Sequence, residues 1–238
     1  KDNRLFGQVD MNHIFDWRDS DKYGRWGAYR YYDHIGGLDK FRRCIADQQA
    51  AGWKVGLYLD TYLCSKAAPV ALEHGDEWAV KREGGGFSTG YSRPEDPVWN
   101  MCIYSNGWPD WMAETCAAVA EETGCDGIYL DEGGTGIHYR CWRDDHGHQV
   151  PGVGPWGFRD MARKVREALP EGVVLYTEHC PEDTTIPYMD GGYITALGRS
   201  DYEITPGFLH IHRFAFPDFK VLPITSAGSL SHGIWDGL

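Results

Sequence analysis

The sequence predicts an α/β fold, a (β/α)8 TIM barrel that is incomplete or truncated and carries long insertions at one rim. Three observations predict it. Short apolar runs alternate with helix-like stretches along the chain, the order expected of βα units that build a parallel sheet. One pattern occurs three times: a helix, a glycine stop, then an apolar strand that ends in an acid. Two long insertions, residues 61 to 106 and 133 to 156, both follow the C-terminal ends of strands, where α/β folds place their ligand loops.

Taken in order, a first strand falls within LFGQVDMNH. Gly36-Gly37 then opens a helix in which Leu38, Phe41, Ile45 and Gln48-Gln49 keep helical spacing, and Gly52 stops it. WKVGLYLD follows as a strand. The second helix begins after Gly107-Trp108-Pro109, where proline suits a first turn and Asp110 adds an acid to it, and it ends at Gly124. DGIYLDE is the next strand. A third helix, GFRDMARKVREALPEG, carries Phe158, Met161, Val165 and Leu169 on one stripe, and VVLYTEH follows it. Late strands are expected around YITAL and FKVLPIT, giving about six where a complete barrel has eight. Gly84-Gly85-Gly86 lies inside an insertion rather than at a strand-to-helix junction, so no phosphate cradle is read there.

The 238 residues can hold one large core, and residues 1–238 are expected to form a single barrel domain of a longer chain, since there is no initiating Met and the ending HGIWDGL carries no tail. At 42% hydrophobic, with no apolar run near the roughly 18 residues of a membrane span, neither a membrane protein nor a disordered chain is expected. Against 35 Asp+Glu stand 23 Lys+Arg; the net charge of −12 repels polyanions, which argues against nucleic acid and anionic membrane surfaces as partners. The aromatic excess lies in 10 Trp and 14 Tyr, rings with a polar handle that suit wet clefts and sugar faces. Seven cysteines at uneven spacing, with no CxxC pair, read as reduced thiols rather than a disulfide framework. The start KDNRLFGQVD has no apolar targeting region, so cytoplasm and secretion after signal removal both stay open, as does oligomeric state.

The three strands end Tyr58-Leu59-Asp60, Tyr129-Leu130-Asp131 and Tyr176-Thr177-Glu178. Residues i and i+2 share one face of a strand, so each tyrosine points the same way as its acid. Ile128 and Leu130 take the opposite parity and should pack under helices, with Tyr129 and Asp131 pointing into the barrel and Glu132 on the aliphatic side. Neighbouring strands lie about 4.8 Å apart, so the three acids should converge at one rim. Like charges that close cannot all ionise cheaply; one carboxyl stays protonated while another remains anionic, the pairing that glycoside hydrolysis uses.

The segments GWKVGLYLDTYL, ETGCDGIYLDEGG and GVVLYTEHC resemble glycosidase-like TIM barrels of the superfamily that contains α-galactosidases and α-amylases, closest to an uncharacterised group with the runs CWRDDHGH and FAFPDFKV. The resemblance runs from about Asp10 to Thr225. It implies that Asp131, ending the fourth barrel strand, is the nucleophile, and that Glu178, ending the next, is the general acid/base. Where α-amylase-like strands carry Arg two residues before the nucleophile, this chain has Tyr129. Asp190 comes too soon after Glu178 for a strand-helix-strand crossover and is a second candidate acid, as is Asp201. An oligosaccharide or glycoside is the implied substrate.

Around these acids, Asp60, Tyr58, Tyr129 and Tyr176 are assigned to sugar binding, together with Trp99, Asn100 and Trp142 on the insertions and His138, His179 and Asp190 near the rim. Gly133-Gly134 would let the chain turn sharply above the cleft. The loop from His138 through Cys141 and His146 to His148 holds soft ligands at a spacing that fits no standard zinc pattern, so no metal or other cofactor is expected, with Cys141, His146 and His148 the candidates if one binds. His179 and Cys180 would complete such a site. His210 and His212 read as a structural pair, and no nucleophile elbow, a GxSxG at a strand-to-helix turn, marks a Ser-His-Asp order, which argues against a serine hydrolase. Two rival functions are a metal-dependent hydrolase or deacetylase using the His/Cys loop, and a sugar-binding barrel without chemistry.

Overall fold

The computed structural model describes residues 10–135, 139–194 and 214–223. Among them, β1 (Met11–Ile14), β2 (Lys54–Asp60), β5 (Gly127–Asp131), β6 (Val174–Glu178), β7 (Gly191–Ile194) and β8 (Lys220–Pro223) pair in parallel, in that spatial order. The described strands form a curled parallel half-barrel sheet. Helices α2 (Gly37–Ala50), α4 (Trp108–Thr123) and α5 (Trp156–Ala168) supply the crossovers, as the glycine stops predict: Gly124 adopts φ 68° and its N–H caps α4 on the Ala120 carbonyl. A short helix, α1 (Ser20–Tyr23), follows β1.

Between β6 and β7 no α-helix intervenes; a single 3-10 turn, Ile186–Tyr188, returns the chain to the neighbouring position. The insertion after β2 is more regular than its sequence suggests, with an antiparallel pair β3 (Leu63–Ser65) and β4 (Val98–Asn100) flanking helix α3 (Pro69–Trp78). Strands of three residues are too short to show a period.

The alternation read from the sequence sorts the two faces of the sheet. Val55, Leu57, Leu59, Ile128, Leu130 and Leu175 are fully buried in one core with Ile45 of α2, Met112 and Cys116 of α4, and Phe158, Met161 and Val165 of α5. On the concave side Tyr58, Tyr129, Tyr176 and Tyr193 form a second cluster, ring centroids 5.3 to 5.9 Å apart along neighbouring strands. Tyr176 of β6 reaches across β5 to β2 and fits only because β2 carries no side chain at that level. A Cβ on Gly56 would lie 1.9 Å from the Tyr176 hydroxyl and 2.6 Å from Met11 Cε. That hydroxyl is tethered to His13 Nδ1 at 2.8 Å and cannot simply step aside. Gly56→Ala is therefore expected to cost about 1–3 kcal/mol as an overpacking change, read as a lower urea midpoint; an unchanged midpoint would refute this packing.

Candidate active site

The strand register turns three sequence endings into one row. Asp60 pairs with Asp131 across β2 and β5. The β5–β6 ladder ends at Leu130 with Thr177, so its next step sets Asp131 beside Glu178, and Glu178 pairs with Tyr193 of β7. Adjacent strands about 4.8 Å apart thus carry Asp60, Asp131 and Glu178 at the C-terminal rim, with tyrosines beneath them.

The three carboxyls have different surroundings. Asp131 receives hydrogen bonds on both oxygens, from Tyr58 Oη at 2.8 Å and Tyr129 Oη at 2.9 Å. Burial raises its pKa, while these phenols and the Arg18 guanidinium, itself 4.7 Å over the Tyr58 ring, pull it back. Asp60 has no exposed surface; Oδ1 accepts the N–H groups of Tyr62 and Leu63, and Oδ2 lies 3.1 Å from the Tyr58 hydroxyl. Burial, reinforced by the charges of Asp131 and Glu132, holds Asp60 far above the ordinary carboxylate range. Tyr58 has one proton for two carboxyls, and its oxygen already accepts Trp26 Nε1–H at 3.1 Å. The bonding is satisfied when Tyr58 donates to an ionised Asp131 and a protonated Asp60 donates to Tyr58. Asp60 therefore sits closed off from the rim as a buried support for Tyr58, a position from which it tunes the pair.

Glu178 is half-buried, its side chain 22% exposed. Burial, with the charges of Asp131 and Glu132 adding to it, pushes its pKa up to about 7, against a backbone hydrogen bond from Glu132. His179 Nε2 stands 3.8 Å from Glu178 Oε1, and burial lowers the histidine's pKa. Glu132 departs from the aliphatic side that simple alternation assigns it. Its φ of 60° ends the strand pleat, and its charge bears on Asp60, Glu178 and Tyr91. Burial and the neighbouring Asp131 raise Glu132 as well. Tyr91, Glu132 and His179 are the non-glycine residues with positive φ among those described, and two of them directly follow the rim acids. Strained backbone of this kind concentrates where surroundings over-determine a side chain's position. Gly134, buried behind Glu132, permits the close approach of the two strand ends: a Cβ there would sit 2.1 Å from the Glu178 carbonyl oxygen.

Other expected site residues are elsewhere. Tyr176 lies in the layer below, bonded to His13, whose burial lowers its pKa to about 3. Asp190 sits at the opposite end of the sheet, accepting the Leu175 N–H at 2.7 Å and pairing with Arg166, so it is not an alternative acid at this rim. Trp99 is packed inside the first insertion, with Lys66 Nζ 3.7 Å over its ring, Phe87 against it and Gly75 beneath. Asn100 is fully buried and shapes its own loop through Ser88 and Gly90. Both help to shape the first insertion. Trp142, next to Cys141 in the second insertion, donates its backbone N–H to the Lys81 carbonyl of the first. His138, Asp201, His210 and His212 lie outside the described residues. Cys141, His146 and His148 do come together, but with Cys102 and without His179 or Cys180. Sequence reasoning missed Arg18, His13, Glu132, Tyr193 and Cys102 as site residues; His13, Glu132 and Tyr193 lay within the strand signals LFGQVDMNH, DGIYLDE and YITAL, while Arg18 and Cys102 carried none.

Residues 3–213 match the family described as Domain of unknown function (DUF6259). A Monosiga brevicollis protein named "Putative glycoside hydrolase 22789" is 23% identical over 212 residues, covering 78% of this chain and 17% of that protein. Among solved structures, an α-galactosidase from Thermus thermophilus in complex with p-nitrophenyl α-D-galactopyranoside superposes with a TM-score of 0.61 at 16% identity, over 92% of this chain and 45% of the other. A maltogenic α-amylase from Thermotoga neapolitana gives 0.59 at 14%, over 91% and 50%. At these identities the likeness is one of fold, that of glycoside hydrolase barrels, and this chain spans half or less of each of these proteins. No helix among the described residues is long and apolar enough to cross a membrane.

Proposed function

The chain belongs to the DUF6259 family, and from the acid row at its rim we propose that it hydrolyses a glycosidic bond. One observation carries this reading: two carboxyls on adjacent strands sit in unlike surroundings, Asp131 accepting a phenol hydrogen bond on each oxygen, which counters the rise that burial gives its pKa, and Glu178 raised to about 7 by burial and the charges of Asp131 and Glu132. That is the division of labour between a nucleophile and a general acid. Glu178 protonates the glycosidic oxygen as the bond breaks; an Asp131 oxygen bonds to the anomeric carbon; Glu178, now a carboxylate steadied by the Glu132 N–H, takes a proton from the water that releases the sugar. Direct attack by Asp131 implies net retention at that carbon. Tyr58 and Tyr129 orient the nucleophile, Asp60 supports Tyr58, and His179 and Trp142 are offered to the substrate, an oligosaccharide or simple glycoside. In this reading residues 1–238 are one catalytic barrel domain and the six parallel strands are the larger part of a (β/α)8 ring.

The name of the Monosiga relative and the fold likeness support the same class. The rival metal-dependent hydrolase is disfavoured, because the gathered Cys/His ligands include none of the row acids. Incubating the protein with a panel of α- and β-aryl glycosides is expected to release the aryl alcohol from at least one. Sugar binding by calorimetry with no product from any of them would replace catalysis with a binding function.

A further inference from the structure

We propose that Cys102, Cys141, His146 and His148 form a Cys2His2 site for a structural zinc ion, which ties the two rim insertions to each other. One ligand atom from each lies within 4.8 Å of all the others. Two of these distances have the length of the edges of a zinc site. With Zn–S near 2.3 Å and Zn–N near 2.0–2.1 Å, a tetrahedral site has S···N edges of about 3.5 Å. Cys141 Sγ to His146 Nδ1 is 3.5 Å, and Cys102 Sγ to His148 Nε2 is 3.5 Å.

The surroundings also orient the ligands. His146 Nε2 lies 2.7 Å from the Glu77 carbonyl, and His148 Nδ1 2.8 Å from that of Gln149. A carbonyl only accepts, so the proton of each ring resides on that nitrogen, and the lone pair of the other points at the cluster. This outer carbonyl is the usual partner of a zinc-bound imidazole. Both cysteines are fully buried, and both sulfurs receive backbone hydrogen bonds, Cys102 from Tyr104 and Ser105 and Cys141 from Arg143 and Lys81, which fix where the sulfurs point. Four protein ligands of S2N2 type suit zinc and leave no open position, which marks a structural site.

The linkage explains why the ion matters. Cys102 follows β4 in the first insertion, while Cys141 lies on the bridge to Gly152 in the second. His146 reaches the end of α3 through Glu77. Tyr139 packs on the two cysteines and meets Tyr62 edge-on at 5.2 Å, and Tyr62 is close enough to Glu132 for that charge to raise its pKa. The ion would therefore brace one flank of the rim.

The test is metal analysis of the full chain, purified untagged and without added zinc. About one zinc per chain is expected, with less than about a tenth in Cys102→Ser and His146→Ala variants. Chelated and refilled with Co(II), the wild type should show the intense visible bands and thiolate charge-transfer absorption of a tetrahedral S2N2 centre. Its thermal midpoint should fall on chelation and return with zinc. Wild-type protein with less than about a tenth of an equivalent that neither takes up cobalt nor gains stability from zinc would overturn the proposal, leaving a cluster of thiol–imidazole hydrogen bonds.

Discussion

Replacing Asp131 by Asn is expected to lower turnover of an aryl glycoside by about four orders of magnitude while the protein stays folded. Two losses combine. A carboxamide is a poor nucleophile towards an anomeric carbon, so the covalent step disappears. It also presents an N–H2 group where the wild type presents a second acceptor, so one of the two phenols, Tyr58 or Tyr129, faces a donor and must rotate its proton away. Because Asp131 carries a buried charge held by those phenols, removing it should leave the thermal midpoint equal or higher. A bare loss of activity cannot distinguish a nucleophile from a positioning acid, so the decisive arm is Asp131→Ala with azide. A small anion occupying the vacated space should restore part of the turnover and yield the glycosyl azide of inverted configuration. Near-normal activity in Asp131→Asn removes the assignment; loss without azide product leaves Asp131 a positioning residue.

The sequence made the backbone of this site readable and its side-chain society much less so. Three Tyr-x-acid endings, each preceded by a helix and a glycine stop, locate β2, β5 and β6, and the strict parity of a pleated strand sends their tyrosines and acids to one face. What parity cannot show is where the pleat stops. Glu132 is one residue beyond the strand, its left-handed φ breaks the alternation, and a residue expected to face the helices becomes a third charge at the rim. Nor does position along a strand reveal depth: Asp60 and Asp131 occupy equivalent rungs, yet the chain after β2 folds back as β3 and encloses Asp60 completely. Asp190 was misread for a related reason, since an acid just before a strand lies at the other end of the sheet from an acid that finishes one. Cys102 was hidden because it joins the His/Cys loop only through the folding of the separate insertion that carries it.

Glu178→Gln tests the other half of the pair through two independent readouts. As the proton donor, Glu178 must be protonated in the free enzyme, so wild-type kcat/KM should fall as pH rises through about 7. The variant should lose that alkaline limb and run about 10²- to 10⁴-fold slower on substrates with poor leaving groups, but far less so on strongly activated aryl glycosides, which leave without a proton. The second readout is stability. The folded-state pKa is raised above the ordinary 4.5, so the native protein binds this proton more tightly than the unfolded chain; the resulting stabilisation is complete below about pH 4.5 and is lost as pH climbs through 7. Gln keeps the neutral form at every pH. Relative to wild type, the variant should therefore gain about 3 kcal/mol in urea unfolding between pH 4.5 and pH 8. Parallel stability curves for the two proteins would mean that Glu178 titrates as an ordinary surface carboxyl, and a preserved alkaline limb would mean that the proton comes from another group.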